Sequence, residues 1–89
     1  MHMYYVYILK SVKDGGMYIG YTADLRKRFK EHQLGLNPST KYKRPWQIVY
    51  YEAYKSRSDS RYREYNLKRF AKGYAQLKRR IKNSLQFDK

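Results

Sequence analysis

The run Tyr4-Tyr5-Val6-Tyr7-Ile8-Leu9, the triplet Asp14-Gly15-Gly16, and the run Met17-Tyr18-Ile19-Gly20-Tyr21 decide the fold. The first run is rich in aromatic and β-branched side chains, which suit a pleated surface, and it reads as a buried strand. Asp-Gly-Gly is a turn signal close to the tight hairpin type. Residues 17–21 are therefore predicted to return as the second strand of a hairpin. Side chains alternate across a strand, so Tyr5 and Tyr7 share one face while Tyr4, Val6 and Ile8 share the other. In a domain this small, the two faces are not expected to be equally buried.

Beyond the hairpin, Thr22 is predicted to be a helix N-cap, with Asp24 placing negative charge at the positive end of the helix dipole. Leu25, Phe29 and His32 recur at helical spacing and Gly35 is a natural stop, which gives a helix over residues 23–34. Residues 36–45 hold Asn-Pro-Ser-Thr and Arg-Pro and read as a basic linker with a short helical turn over 39–43. Residues 46–54, Trp-Gln-Ile-Val-Tyr-Tyr-Glu-Ala-Tyr, are predicted as the third strand. Ser56, three residues before Asp59, has capping-box form. The helix behind it is predicted to reach Lys72 and end at Gly73, and a last helix to carry Tyr74, Leu77, Ile81 and Leu85 on one stripe. The fold class is thus α+β, a three-stranded, mainly antiparallel sheet flanked by helices. Residues 1–85 are expected to form one domain and 86–89 a frayed tail.

The chain has 89 residues and no cysteine. That excludes disulfides, thiolate metal sites and a cysteine nucleophile, and leaves a thin core held by packing alone. The 12 tyrosines, against 3 Phe and 1 Trp, offer large rings with polar tips, which suit a core whose edges stay wet. Charge is the strongest signal. Lys and Arg total 21, Asp and Glu 7, for a formal net charge of +14. Residues 1–32 carry six cations and three acids, and the remainder carries fifteen cations and four acids. That field gathers polyanions, and nucleic acid is the expected partner. With no signal peptide or apolar span in view, a cytoplasmic location is expected.

No Ser/His/Asp spacing and no phosphate-binding glycine loop stands out. What remains is Tyr, Arg, His32 and a few carboxylates. Arg28 and His32, four apart, share a helix face beside Leu25 and Phe29. Glu64 falls on the inward stripe Ser60, Glu64, Leu67, Ala71, as an ion-pair partner or a metal ligand. By chemistry alone, the abundant nearby cations favour an ion pair.

Taken together, Tyr5-Val6-Tyr7, Tyr18-Ile19-Gly20, Thr22, Asp24-Leu25, Arg28 and His32 resemble the GIY-YIG nuclease family. The second motif matches letter for letter. The first matches at Tyr7, with Tyr5 where the name-giving glycine stands. Glu64, followed by Leu67-Lys68, falls at the family's metal-binding glutamate. The resemblance runs from about residue 4 to residue 81.

It implies a divalent-metal-dependent endonuclease that hydrolyses phosphodiester bonds, in DNA more than RNA, with one Mg²⁺ or Mn²⁺ held by Glu64. It further implies that Arg28 binds the scissile phosphate, that Tyr7 contacts the attacking water and acts as its base, and that Tyr18 and His32 assist. A free tyrosine has a pKa of about 10, so Tyr7 would need its cationic surroundings to lower it. Lys27, Lys41, Lys43, Arg44, Arg61 and Lys68 are the cations expected to touch phosphates, and a protein partner could supply specificity. One departure stands out: the stretch near Gln76, where many family enzymes carry asparagine, has none. The alternative is a basic nucleic-acid-binding module that keeps the fold without catalysis.

Overall fold

The computed structural model describes residues 2–86; residues 87–89, most of the expected tail, lie outside the described residues. Strand β1 spans Tyr4–Ser11, β2 Met17–Thr22 and β3 Trp46–Tyr54. Helix α1 spans Leu25–Gln33, α2 Arg57–Arg69 and α3 Ala71–Arg80, with a short 3₁₀ turn at Lys41–Lys43. Both strand pairings are antiparallel and the order is β2-β1-β3, so the first strand is the centre of the sheet. The expected α+β class and three-stranded sheet are what the chain forms.

The central position of β1 overturns the expectation of one wetter face. Val6, Tyr7, Ile8 and Leu9 are all buried, on alternating sides. Val6 and Ile8 pack with Ile19, Leu67, Leu77 and Ile81 under α2 and α3. Tyr7 and Leu9 pack with Trp46, and with Leu25 and Phe29 of α1. Helices on both faces let a small chain bury both sides of its middle strand over Val6–Leu9.

Local signals set most boundaries. The tight turn after β1 has Gly15 at φ +77°, and the buried Ser11 hydroxyl accepts from the amides of Lys13 and Asp14 at 3.1 Å each. Gly35, at φ +78°, ends α1 as expected: its amide bonds His32 O and that of Leu36 bonds Glu31 O, the pattern that satisfies a helix's last carbonyls. Ser56 caps α2 by accepting from the Asp59 amide.

Two boundaries differ from the sequence prediction. Asp24, not Thr22, caps α1, accepting from the Lys27 amide at 3.1 Å. Thr22 is still paired with Tyr5 in the sheet, so the helix cannot begin there. The break between α2 and α3 comes at Phe70, which is extended (φ −113°, ψ 106°), while Gly73 lies inside α3. That earlier break folds α3 back so that Leu77 and Ile81 reach the core, with Tyr74 and Leu85 packed beside them.

Gly20 shows how tightly the sheet is fitted to one ring. It pairs with Tyr7 across β1 and β2, and a Cβ placed on it would collide with the Tyr7 ring and its Oη. Tyr7 is buried and cannot swing away. Gly20→Ala is therefore expected to lower stability by about 1–3 kcal/mol, read as an earlier urea midpoint with an unchanged slope. A midpoint equal to wild type would mean that the ring has room to move.

Candidate active site

Tyr7 projects from the middle of β1 toward α1, and its hydroxyl lies 2.8 Å from His32 Nε2. On the far side of the imidazole, Nδ1 is 2.9 Å from the Thr40 hydroxyl. His32 and Thr40 are both buried. Thr40 also contacts Asn37 O at 3.4 Å through its hydroxyl, and its own carbonyl accepts the Trp46 indole N–H at 3.0 Å. Gln33 clamps the strand end, donating to Trp46 O at 2.9 Å and accepting from the Trp46 amide at 2.7 Å. The 36–45 loop is thus fastened to both α1 and β3.

These contacts assign the protons. The Thr40 hydroxyl has one hydrogen, and its approach to Asn37 O uses it. The threonine oxygen is then free to accept from Nδ1–H, and Nε2 is left to accept from the Tyr7 hydroxyl. Burial, reinforced by the Arg28 charge, pushes the His32 pKa down to about 4, so the ring is neutral at pH 7. Burial pushes Tyr7 up to about 12. Arg28 pulls the other way, while Tyr18 and Glu64 add to the rise. The lowering that a resting phenolate base would need is therefore not achieved: desolvation outweighs the guanidinium.

The Tyr18 ring stands 5.1 Å from His32 and 6.3 Å from Tyr7, centroid to centroid. Arg28 is half-buried, with Nη1 3.1 Å from Glu31 Oε1, which aims the guanidinium. Burial alone would pull its pKa down, but Glu31 and Tyr7 together push it above its ordinary value. Glu64 sits on α2 at the border of the core, with Ser60 and Leu67 buried and Ala71 exposed. Its Oε2 is 3.0 Å from Lys68 Nζ, and that ammonium lies 5.7 Å above the Tyr18 ring. The fold thus gathers Tyr7, Tyr18, Arg28, His32 and Glu64 from four elements around one phenol.

A second carboxylate has a different fate. Glu52 on β3 receives hydrogen bonds from Tyr50 and Tyr54 and a two-pronged ion pair from Arg63, the shortest leg 2.9 Å. Burial would raise its pKa, but these donors hold it below the usual carboxylate range. Its oxygens are fully engaged, whereas Glu64 faces a mobile kind of partner, a lysine. Among the described residues, no three His, Cys, Asp or Glu side chains come together. Glu64 alone fits a hard ion that keeps most of its water, as Mg²⁺ does, and does not fit a zinc site.

The remaining basic positions separate. Arg61 and Lys68 line one groove with Glu64. Lys41 and Arg44 line another with Tyr42. Lys27 is exposed on α1, and Lys43 is 3.7 Å from Asp14. Gln76 is exposed and lines a depression with Arg63 and Arg80. Sequence reasoning missed Thr40 and Glu31. Glu31 was findable, three residues after Arg28 on the same helix. Thr40 was not, because its approach to His32 depends on how the 36–45 loop closes.

A sequence profile described as the GIY-YIG catalytic domain matches residues 3–76. A UPF0213 protein of Staphylococcus saprophyticus is 41% identical over 73 residues, covering 81% of this chain and 88% of that protein. A UPF0213 protein of Staphylococcus haemolyticus is 40% identical over the same span. The solution NMR structure of a UPF0213 protein from Bacillus halodurans superposes with a TM-score of 0.53, at 37% identity, over 84% of this chain and 81% of that one.

The buried imidazole makes stability depend on pH. The folded pKa of about 4 lies below the ordinary 6.5, so the unfolded chain binds the extra proton between those values. The contribution is complete above pH 6.5 and is lost as pH falls toward 4. Urea unfolding should show wild type losing stability between pH 7 and 5, with His32→Gln losing less over that interval. Parallel losses in the two proteins would contradict a neutral, buried His32.

Proposed function

The chain belongs to the GIY-YIG family, and from that membership we propose that it is a divalent-metal-dependent endonuclease acting on DNA in the cytoplasm. The family implies a nucleic-acid substrate, and no helix among the described residues is long and apolar enough to cross a membrane. The observation that carries the reading is the convergence on Tyr7: a phenol hydrogen-bonded to a neutral imidazole, with the charges of Arg28 and Glu64 close enough to act on its proton.

Arg28, aimed by Glu31, binds the scissile phosphate, and its fork offsets the charge that grows on the non-bridging oxygens. A water beside Tyr7 donates to the phenol oxygen while the phenol hydrogen passes to His32 Nε2. The water oxygen then bonds phosphorus, and the bond to the 3′ oxygen breaks with its electron pair on that oxygen, which takes a proton from solvent. This relay needs no resting phenolate, which a phenol held near 12 would not supply. It ends with the charge on His32, whose Nδ1–H stays bonded to Thr40. Tyr18 walls the site and holds the water in line. Glu64 would hold Mg²⁺ or Mn²⁺, which supplies charge relief at the leaving oxygen. Glu64 is better placed for this than Glu52, whose oxygens are already engaged.

Labelled single-stranded, duplex and branched DNA, incubated with Mg²⁺ or Mn²⁺ and with EDTA, test the reading. Cleavage should require the metal and fall by about 100-fold or more in Glu64→Ala, Arg28→Ala and Tyr7→Phe, with the circular dichroism of the first two variants unchanged. Salt-sensitive binding without cleavage of any substrate would instead make the chain a binding module.

A further inference from the structure

The outward face of α2 carries rings and cations that the fold does not use. At 100° per residue, Ser60, Arg63 and Leu67 face the sheet, while Arg61, Tyr62, Tyr65, Lys68 and Arg69 face away, with Glu64 on the border between them. Those outward residues and Glu64 line a single open groove. Tyr62 is 69% exposed, Tyr65 51% and neighbouring Phe70 54%. Core-forming rings are not left this open, and a cluster of them on a highly charged helix needs a reason. The rings are organised: Phe70 meets Tyr65 edge-on at 6.4 Å, and the Arg69 guanidinium lies 5.5 Å over Tyr65. At the other margin, Arg61 lies 6.0 Å over Tyr21 and Lys68 lies 5.7 Å over Tyr18, which tie the groove to the β2 side of the candidate active site. Glu64 is the one acid lining it.

We propose that this face is a track for an unpaired nucleic-acid strand leading into the active site, with bases stacked on Tyr62 and Tyr65 and phosphates held by Arg61, Lys68 and Arg69. The end point of the track, though not the track itself, rests on the nuclease reading. Alternating rings and cations match a single strand, which offers both bare base faces and phosphates. A duplex hides its base faces and offers the phosphates alone, so it would leave the tyrosines idle. Arg61 to Arg69 covers about 12 Å of helix axis, enough for successive bases to meet successive rings. A strand whose phosphate sits between Arg28 and Glu64 has to continue over neighbouring surface, and this groove begins at Glu64. The preferred substrate is therefore a DNA with a single-stranded segment beside the cut, such as a flap, a tail or a free strand.

Fluorescence anisotropy with dye-labelled oligothymidine and with a duplex of equal length, both in EDTA, reads the track without cleavage. Wild type should prefer the single strand. Tyr62→Leu and Tyr65→Leu should each weaken single-strand binding by about five- to tenfold, with Tyr65→Phe near wild type, because a ring stacks and an aliphatic chain does not. Duplex affinity should change less than about twofold, and the salt dependence of binding should be unaltered in the tyrosine variants. Arg69→Gln should weaken both ligands and lower the salt slope by about one. Equal losses for both ligands in the leucine variants, or no loss for either, would overturn the proposal. So would unchanged DNA binding accompanied by loss of self-association in sedimentation, which would make the face a protein interface. Because binding is read in EDTA, failure of the nuclease reading would leave this result standing, and the reverse also holds.

Discussion

The hydrogen bond between Tyr7 and His32 is the contact on which the rest of the structure depends. It joins the central strand to α1 across the middle of the molecule, between two buried side chains. A buried phenol and a buried imidazole are each costly unless paired, so each fixes the other's place. The neighbouring residues follow from that constraint. Gly20 must lack a side chain because the Tyr7 ring fills the space above it. Thr40 must reach Nδ1, which requires the 36–45 loop to fold back, and the Trp46 indole and the Gln33 amide hold it there. Chemistry and packing share these atoms, so a change that disturbs one disturbs the other.

Charge is organised around the same centre. In a chain with a formal net charge of +14, the three glutamates have three different surroundings. Glu52 is locked by Arg63, Tyr50 and Tyr54 on the α2 side of the sheet and serves to fasten β3 to α2. Glu31 aims Arg28. Glu64 is held by a single lysine at the edge of the tyrosine cluster. A single, partly exposed ion pair of that kind contributes little to stability, so opening it would cost the fold little.

Much of this was legible in the chain because the signals were local. The aromatic and β-branched run at residues 4–9, the Asp-Gly-Gly turn, Gly35 as a helix stop and Ser56 as a cap each depend on a few neighbouring residues. Tyr7, Tyr18, Arg28, His32 and Glu64 were singled out by the resemblance to the GIY-YIG family; in the fold Tyr7, Tyr18 and His32 are in contact, with the charges of Arg28 and Glu64 acting on Tyr7. What could not be read depends on distant partners. Thr22 looks like a cap until Tyr5 claims it for the sheet. Gly73 looks like a helix end until Leu77 and Ile81 need α3 to start earlier. The burial of β1 on both sides at Val6–Leu9 follows only from the β2-β1-β3 order. The high pKa of Tyr7 follows from burial that no count of nearby cations reveals.

In the proposed centre Glu64 is the metal ligand, with Tyr7, Tyr18, Arg28 and His32 gathered beside it. Titrating Mn²⁺ into ¹⁵N-labelled protein and following paramagnetic broadening of the amide signals tests it most directly. Selective broadening is expected to centre on Glu64, Lys68, Tyr18 and Arg28, to be weaker at Glu52 on β3, and to be abolished in Glu64→Gln. Broadening centred on Glu52, or broadening that survives in Glu64→Gln, would contradict it.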